Sequence, residues 1–244
     1  MTARTDRPGL LEGLRRVRSS IEAAALRAGT DPATIRLVAV TKGFAWEQIE
    51  PLAEALSDVG ENRVQELLAK QEQARAYPSL VWHMIGTLQR NKVADVVGRV
   101  VLIHSVDSGT LAAAIDARAR ALAVIQDVLI QVNASGETSK HGVDLGDAID
   151  LANDVEAMSG MRLRGLMTIA APGDPAGARE AFARTRQVRD RIAETHPGAT
   201  ELSMGMSSDF EDAIGAGATI VRVGSAIFGP RPSSNARPGS PDTR

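Results

Sequence analysis

A chain of 244 residues with 43% hydrophobic and 24% charged residues is an ordinary globular mixture, long enough for one large domain or two small ones. Its 28 Lys and Arg against 30 Asp and Glu leave a formal charge of −2, so no overall field draws it to nucleic acid or to a membrane, and neither partner is expected. The absence of cysteine removes disulfides, thiolate metal sites and cysteine nucleophiles together.

The N-terminus MTARTDRPGL has no apolar signal core, and no run of about 18 apolar residues occurs, so the cytoplasm is the expected location. From Pro8 to Ala28, Leu10, Leu14, Val17, Ile21 and Leu26 recur near helical spacing until Gly29 stops the run, which predicts an amphipathic leading helix. Ile35 to Thr41 (IRLVAVT) is β-branched and apolar, too short for a helix and too continuous for a half-exposed strand. It reads as a strand buried on both faces, the kind found in parallel sheets. The alternation then repeats: a helix over Trp46–Leu56, a short strand around Val59, a helix over Val64–Ala76, a strand at Val81–Ile85, a helix near Asn91–Val97, a strand over Val100–Ser105, a helix over Ser108–Leu122 and the run DVLIQVN ending at Asn133. After the polar loop SGETSKHG come a helix over Ile149–Met158, the strand LRGLMTIA ending near Ala170 and a helix over Pro175–Thr195. A short strand at Glu201–Met204, a helix over Asp209–Ala216 and a strand at Thr219–Gly224 close the series. Eight strands with helices between them fit an α/β fold, a single (β/α)8 TIM-type barrel with an extra N-terminal helix, better than an open doubly wound sheet. The barrel is expected over residues 1–229. From Pro230 the chain carries Pro, Ser and Arg without an apolar anchor, and residues 230–244 are expected to be a disordered tail.

In such a barrel the chemistry sits at the C-terminal ends of the strands. Those ends carry small and polar residues here: Thr41-Lys42, Gly60-Glu61-Asn62, His83 with Gly86, His104-Ser105, Asn133, Met167-Thr168, Met204 to Ser207, and Arg222 to Ser225. Lys42 closes the most apolar strand. A lysine among low-dielectric neighbours loses proton affinity and becomes a usable amine nucleophile; a solvated lysine that merely ends a strand is the other reading. In GMSSDFE, Ser208 stands three residues before Glu211, the spacing of a capping box, which predicts a helix start with backbone N–H groups just after the seventh strand. Gly224 allows close backbone approach and Ser225 offers a hydroxyl, so the loops after the last two strands form a candidate phosphate site. Arg222 points the same way as Gly224 along an extended strand and reads either as half of a structural ion pair or as the partner of a bound ring nitrogen. An arginine in that role, unlike an aspartate, leaves the nitrogen unprotonated and the ring a weak electron sink. The four histidines, His83, His104, His141 and His196, show no metal-binding spacing, and no metal is expected. His83 and His104 read as acid–base groups or as strand-end side chains satisfied by backbone. The loop containing Glu137 and Lys140 reads as an exposed polar loop or as a lid over the mouth.

Taken in order, LVAVTK, GENRVQE, WHMIGTLQRNK, IHSVD, LRGLMTIA, GMSSDFEDAI and VRVGSAIFG resemble the YggS/PROSC family of pyridoxal phosphate homeostasis proteins, from about Ile35 to Gly229. The resemblance implies a barrel like the N-terminal domain of alanine racemase, with pyridoxal 5′-phosphate held as a Schiff base on Lys42, the lysine closing the first strand. It further implies that Ser207, Gly224 and Ser225 hold the phosphate, that Arg222 faces the pyridine nitrogen, and that Asn62, His83 and Met167 line the ring pocket. Many members follow the lysine with Thr-Lys-Pro, whereas this chain has Gly43-Phe44-Ala45; a second lysine near the site is lost, and Lys140 stands as the alternative temporary acceptor. Two functions compete: a protein that holds pyridoxal phosphate, maintains vitamin B6 balance and delivers the cofactor to apo-enzymes, and a weak amino-acid racemase. Racemisation needs a second base on the opposite face of the substrate, which in alanine racemase comes from a partner subunit's C-terminal domain. No such domain is expected here, and Tyr77, the only tyrosine, is expected at the barrel's other end. The expectation is therefore a monomeric carrier rather than an enzyme.

Overall fold

The continuous apolar runs are buried on both faces because the strands close into a ring with helices outside. A computed structural model describes residues 7–135 and 141–230, so the lid reading of the loop at 136–140 and the tail reading beyond Pro230 lie outside the described residues. Along the chain come α1 (Arg7–Arg27), β1 (Arg36–Val40), α2 (Trp46–Ile49), β2 (Asp58–Glu61), α3 (Val64–Gln73), β3 (Val81–Met84), α4 (Val93–Val96), β4 (Leu102–Val106), α5 (Gly109–Ala121) and β5 (Gln126–Asn133). They are followed by β6 (Val143–Asp144), α6 (Ala148–Glu156), β7 (Met161–Met167), α7 (Pro175–Thr195), β8 (Glu201–Ser203), α8 (Phe210–Gly215), β9 (Ile220–Val223) and α9 (Ser225–Phe228). Pairing is parallel in the order β4-β3-β2-β1-β9-β8-β7-β5, and β5 pairs back with β4. The result is the expected (β/α)8 barrel, with the two-residue β6 added at the C-terminal end of β5. Among the described residues, no helix is long and apolar enough to cross a membrane.

Local chemistry sets the helix ends. Ser108 accepts from the Leu111 amide to cap α5, and Asp174 accepts from the Gly177 amide to cap α7, with Pro175 in its first turn. The helix expected over Trp46–Leu56 divides: it is α-helical over Trp46–Ile49 and 3-10 over Glu50–Ala55. Pro51 has no N–H to return to the turn before it, which is why the α-helix stops there. The leading helix α1 lies along α8, α9 and the 3-10 segment at 50–55. It fills the gap in the helical ring left by the four-residue α9, burying Leu14, Val17 and Ile21.

Alternation along the strands makes two separate interiors. Outward residues such as Ala39, Val59, Ile103 and Val128 join the helices in the main core, whereas Val38, Leu102, Leu129, Met167 and Ile220 form a smaller apolar cluster of their own. Between β5 and β7 the register shifts, Val128 facing Leu163 and Leu129 facing Gly165, so Arg164 is an extra residue in β7. Gly165 takes φ +144°, and a Cβ there would overlap the Glu201 carbonyl of β8. Gly165→Ala is expected to lower the unfolding free energy by at least about 2 kcal/mol in urea titrations. A loss below about 0.5 kcal/mol would mean that the bulge relaxes freely.

Candidate functional site

At the C-terminal mouth of the barrel lies a cleft of about 280 Å³. Val40, Phe44, Ile85, Ile169 and Met206 give it apolar walls, and six of the eight residues singled out in the sequence line it: Lys42, Asn62, Ser207, Arg222, Gly224 and Ser225. His83 and Met167 do not line it. Both are fully buried inside the barrel, Met167 in the interior apolar cluster and His83 bonded to His104 and Asp58. Each side chain points inward as alternation demands, but one layer too deep; the next inward residues, Ile85 and Ile169, occupy the wall of the cleft.

Lys42 is carried on a turn pinned from behind. Lys70, on the core face of α3, donates to the Thr41 carbonyl at 2.7 Å and to Glu61 Oε1 at 2.5 Å, and the Thr41 hydroxyl donates to the same oxygen at 2.5 Å. Glu66, one turn before Lys70 on α3, accepts from the Gly43 amide at 2.8 Å. The backbone on both sides of Lys42 is thus held by α3, and Gly43 supplies the φ of +76° that the turn requires. Phe44 is buried and stacks against Phe228 with ring centroids 5.2 Å apart, so the segment Gly43-Phe44-Ala45 gives the cleft an apolar wall.

At another side of the cleft, the amides of Gly224 and Ala226 both donate to Ser207 Oγ at 3.3 Å. A Cβ at Gly224 would lie 3.0 Å from the Val40 carbonyl, which explains the need for a small residue where β9 leaves the sheet beside β1. The capping box expected from Ser208 and Glu211 does not form. Asp209 precedes α8 and turns its carboxylate back to the Met206 amide at 2.6 Å, while Glu211 pairs with Arg27 of α1 at 2.7 Å. The tight turn at 206–209 takes the place of the cap, and Ser207 rather than Ser208 reaches the converging amides.

Arg222 is 4% exposed and reaches from β9 to the floor of the cleft, donating Nη1 to Ser203 Oγ at 2.6 Å and Nη2 to the Thr168 carbonyl at 2.9 Å. Burial lowers its pKa to about 10, still far above neutrality. Below it a file of polar groups continues down the barrel: Ser203 Oγ to His104 Nδ1 at 2.9 Å, His104 Nε2 to His83 Nδ1 at 3.0 Å, and His83 Nε2 to Asp58 Oδ1 at 3.0 Å.

Residues 14–232 match the family described as alanine racemase, N-terminal domain. The chain is 41% identical to the pyridoxal phosphate homeostasis protein of Pseudomonas aeruginosa, over 91% of this chain and 96% of that one. It belongs to this family. The Escherichia coli K12 member is 38% identical over 91% of this chain and 97% of its own. Among solved structures, PipY of Synechococcus elongatus with PLP bound superposes with a TM-score of 0.75 at 36% identity, covering 86% of this chain and 99% of that one. An unknown protein from Bifidobacterium adolescentis superposes with a TM-score of 0.87 at 38% identity, covering 93% and 98%. An alanine racemase of Clostridium difficile shares the fold alone, with a TM-score of 0.75 at 16% identity, and this chain covers 58% of its length.

Four residues that support the site escaped the sequence reading as such: Glu66, Lys70, Ser203 and Asp58. One signal for Lys70 was present, since the apolar stripe Val64, Leu67 continues onto a lysine three residues on, a charge on a core face. Burial pushes the Glu61 carboxyl above its usual range, opposed by the ammonium of Lys70, and Glu61 Oε2 has no hydrogen-bond partner. Lys70→Met therefore leaves a buried carboxylate without its cation and is expected to destabilise the fold by about 3–5 kcal/mol in urea titrations. The double variant Lys70→Met, Glu61→Leu should recover much of that loss.

Burial, with the neighbouring His83 and Arg222, drives the His104 pKa well below the ordinary 6.5. The unfolded chain takes up a proton at that histidine as pH falls below 6.5 while the folded one does not, so stability is full above pH 6.5 and is lost below it. The slope approaches about 1.4 kcal/mol per pH unit per proton. Urea midpoints measured between pH 7 and pH 5 should fall accordingly, and a flat profile would contradict a neutral His104.

Proposed function

We propose that this chain is a pyridoxal 5′-phosphate carrier that holds the cofactor on Lys42 and supplies it to apo-enzymes, with little or no catalysis of its own. The observation that carries this reading is the make-up of the cleft: backbone amides converge on a single hydroxyl oxygen at one side, and Lys42 and Arg222 are the only ionisable groups among the described lining residues. The family members named for pyridoxal phosphate homeostasis, and PipY with PLP bound, support it.

The residues present fit the cofactor. Ser207 Oγ is an acceptor already seated between the amides of Gly224 and Ala226, so these donors, with the hydroxyls of Ser207 and Ser225, would hold a phosphate. When bound, the cofactor supplies an aldehyde that condenses with a lysine amine with loss of water, and Lys42 is the only lysine on the wall of the cleft among the described residues. Arg222 would face the ring nitrogen. Its guanidinium has five N–H groups and no acceptor, so that nitrogen stays unprotonated and draws little electron density from a substrate carbon. Asn62 and the apolar walls of Ile85, Ile169 and Phe44 would border the ring and exclude water.

The weak-racemase alternative needs a second base to receive or return a proton on the opposite face. No histidine, tyrosine or carboxylate lines the cleft among the described residues, and Tyr77 donates to Glu50 at 3.2 Å and packs 5.7 Å from Trp46 instead. Where many relatives carry a second lysine, Phe44 is buried against Phe228, so handover through an amine at that position is not open to this chain.

Borohydride treatment of the loaded protein should place the phosphopyridoxyl group on Lys42 by peptide mapping, and a main adduct on another lysine would overturn the assignment. Removing two donors in Ser207→Ala, Ser225→Ala should cost about 0.5–3 kcal/mol each in pyridoxal phosphate affinity while leaving pyridoxal affinity little changed. Incubation with L-alanine in deuterated water should show negligible α-proton exchange. Turnover in the usual enzymatic range of about 1–10³ s⁻¹ would make the protein an enzyme after all.

A further inference from the structure

Barrel interiors of this type are ordinarily filled by bulky branched apolar side chains. Here a file of five polar residues crosses from the C-terminal mouth, where Arg222 borders the cleft, to Asp58 at the N-terminal end of β2, beside Arg36 at 3.9 Å. Arg222 has no carboxylate within ion-pair distance among the described residues, although its charge is buried. Besides the Thr168 carbonyl and the through-space charge of Asp209, its compensation runs through Ser203 and what lies beyond.

With both imidazoles neutral, the bonds of this file can run in only one direction. A guanidinium only donates and an ionised carboxylate only accepts. Ser203 accepts from Arg222 and passes its single proton to His104 Nδ1; His104 is then neutral and donates from Nε2 to His83 Nδ1; His83 in turn donates from Nε2 to Asp58. One proton fills each link, and the accepting carboxylate with two neutral rings fixes the polarity. Burial opposes ionisation of Asp58, but the hydrogen bond from His83, with the help of Ser57 and Arg36, outweighs it and holds the carboxyl below its usual range, as an accepting end requires.

We propose that Asp58 sets, through His83, His104 and Ser203, how Arg222 is presented to the ligand in the cleft at the opposite end of the barrel. These four are positioning residues, and the proposal rests on the reading of the cleft as a pyridoxal phosphate site. With Asp58 ionised, Ser203 must point its proton away from Arg222 and offer it a lone pair. Once the carboxylate is replaced by an amide, which can donate as well as accept, the links from His83 to Ser203 can reverse; Ser203 then accepts from His104 as well as from Arg222, and its hydroxyl no longer presents the same lone pair to the guanidinium.

Asp58→Asn, close to isosteric, tests this with two readouts. In the unliganded protein at neutral pH, long-range proton–nitrogen NMR of the imidazoles should find both rings of the wild type neutral with the proton on Nε2, and a second tautomer in the variant. A wild-type ring protonated on Nδ1, or on both nitrogens, would overturn the relay. With pyridoxal phosphate followed by its visible absorption, Asp58→Asn and Ser203→Ala should each weaken binding by about 3–10-fold, the size of one impaired buried hydrogen bond. The absorption band of the bound cofactor should move in both, and the double variant should bind no more weakly than the worse single one. Losses that multiply in the double variant, or an Asp58→Asn protein indistinguishable from wild type, would refute the coupling; Asp58→Asn alone carries both readouts if Ser203→Ala does not fold. A wild-type protein that takes up no pyridoxal phosphate would instead sink the cofactor reading, and the ring tautomers would still decide the relay.

Discussion

A guanidinium enclosed by a closed sheet has to find its acceptors inside that sheet, where most backbone carbonyls are engaged in the ladder. Arg222 meets this constraint with a carbonyl at the rim of the barrel, that of Thr168, and with the hydroxyl of Ser203. The cost of removing its charge from water is several kcal/mol unless its partners are well placed. That requirement explains why Asp58, His83, His104 and Ser203 stand on inward positions of β2, β3, β4 and β8, alongside apolar neighbours such as Leu102.

The same constraint separates the two halves of the site. Arg222 and the polar file belong to the barrel interior, whereas the support of Lys42 lies behind the sheet, where α3 brings Lys70 and Glu66 against the turn after β1. The amides of Gly224 and Ala226 come from the chain as it leaves β9, the neighbour of β1 in the ring. Barrel closure is what makes the first and last strands adjacent, so a lysine at residue 42 and amides at residues 224 and 226 share one cleft.

Kinship with the N-terminal domain of alanine racemase extends over residues 14–232, and it describes a scaffold rather than a reaction. The described residues of the cleft give it one lysine, one arginine and otherwise neutral walls. Moving a proton on a carbon needs a further titratable group, which a fold alone does not supply.

The sequence by itself determined the eight strands, their parallel closure and most of the cleft. Continuous β-branched runs such as Ile35 to Thr41 have no other stable use, and the C-terminal ends of strands are where such a barrel opens. Alternation also placed Arg222 and Gly224 on the same side of the last strand, and both line the cleft. It could not give depth: strands of different lengths tilt around a barrel, so which inward residue reaches the rim depends on its neighbours' register, and Ile85 and Ile169 stand where His83 and Met167 were expected. Only the tertiary structure decided that Ser207 and not Ser208 meets the amides, that Lys70 abandons solvent for Glu61, and that Asp58 and Arg222, 164 positions apart by number, are joined by three side chains. The first two need only neighbouring strand and helix units packed together, whereas the file from Arg222 to Asp58 joins residues far apart in the chain that come within reach only after the barrel has closed.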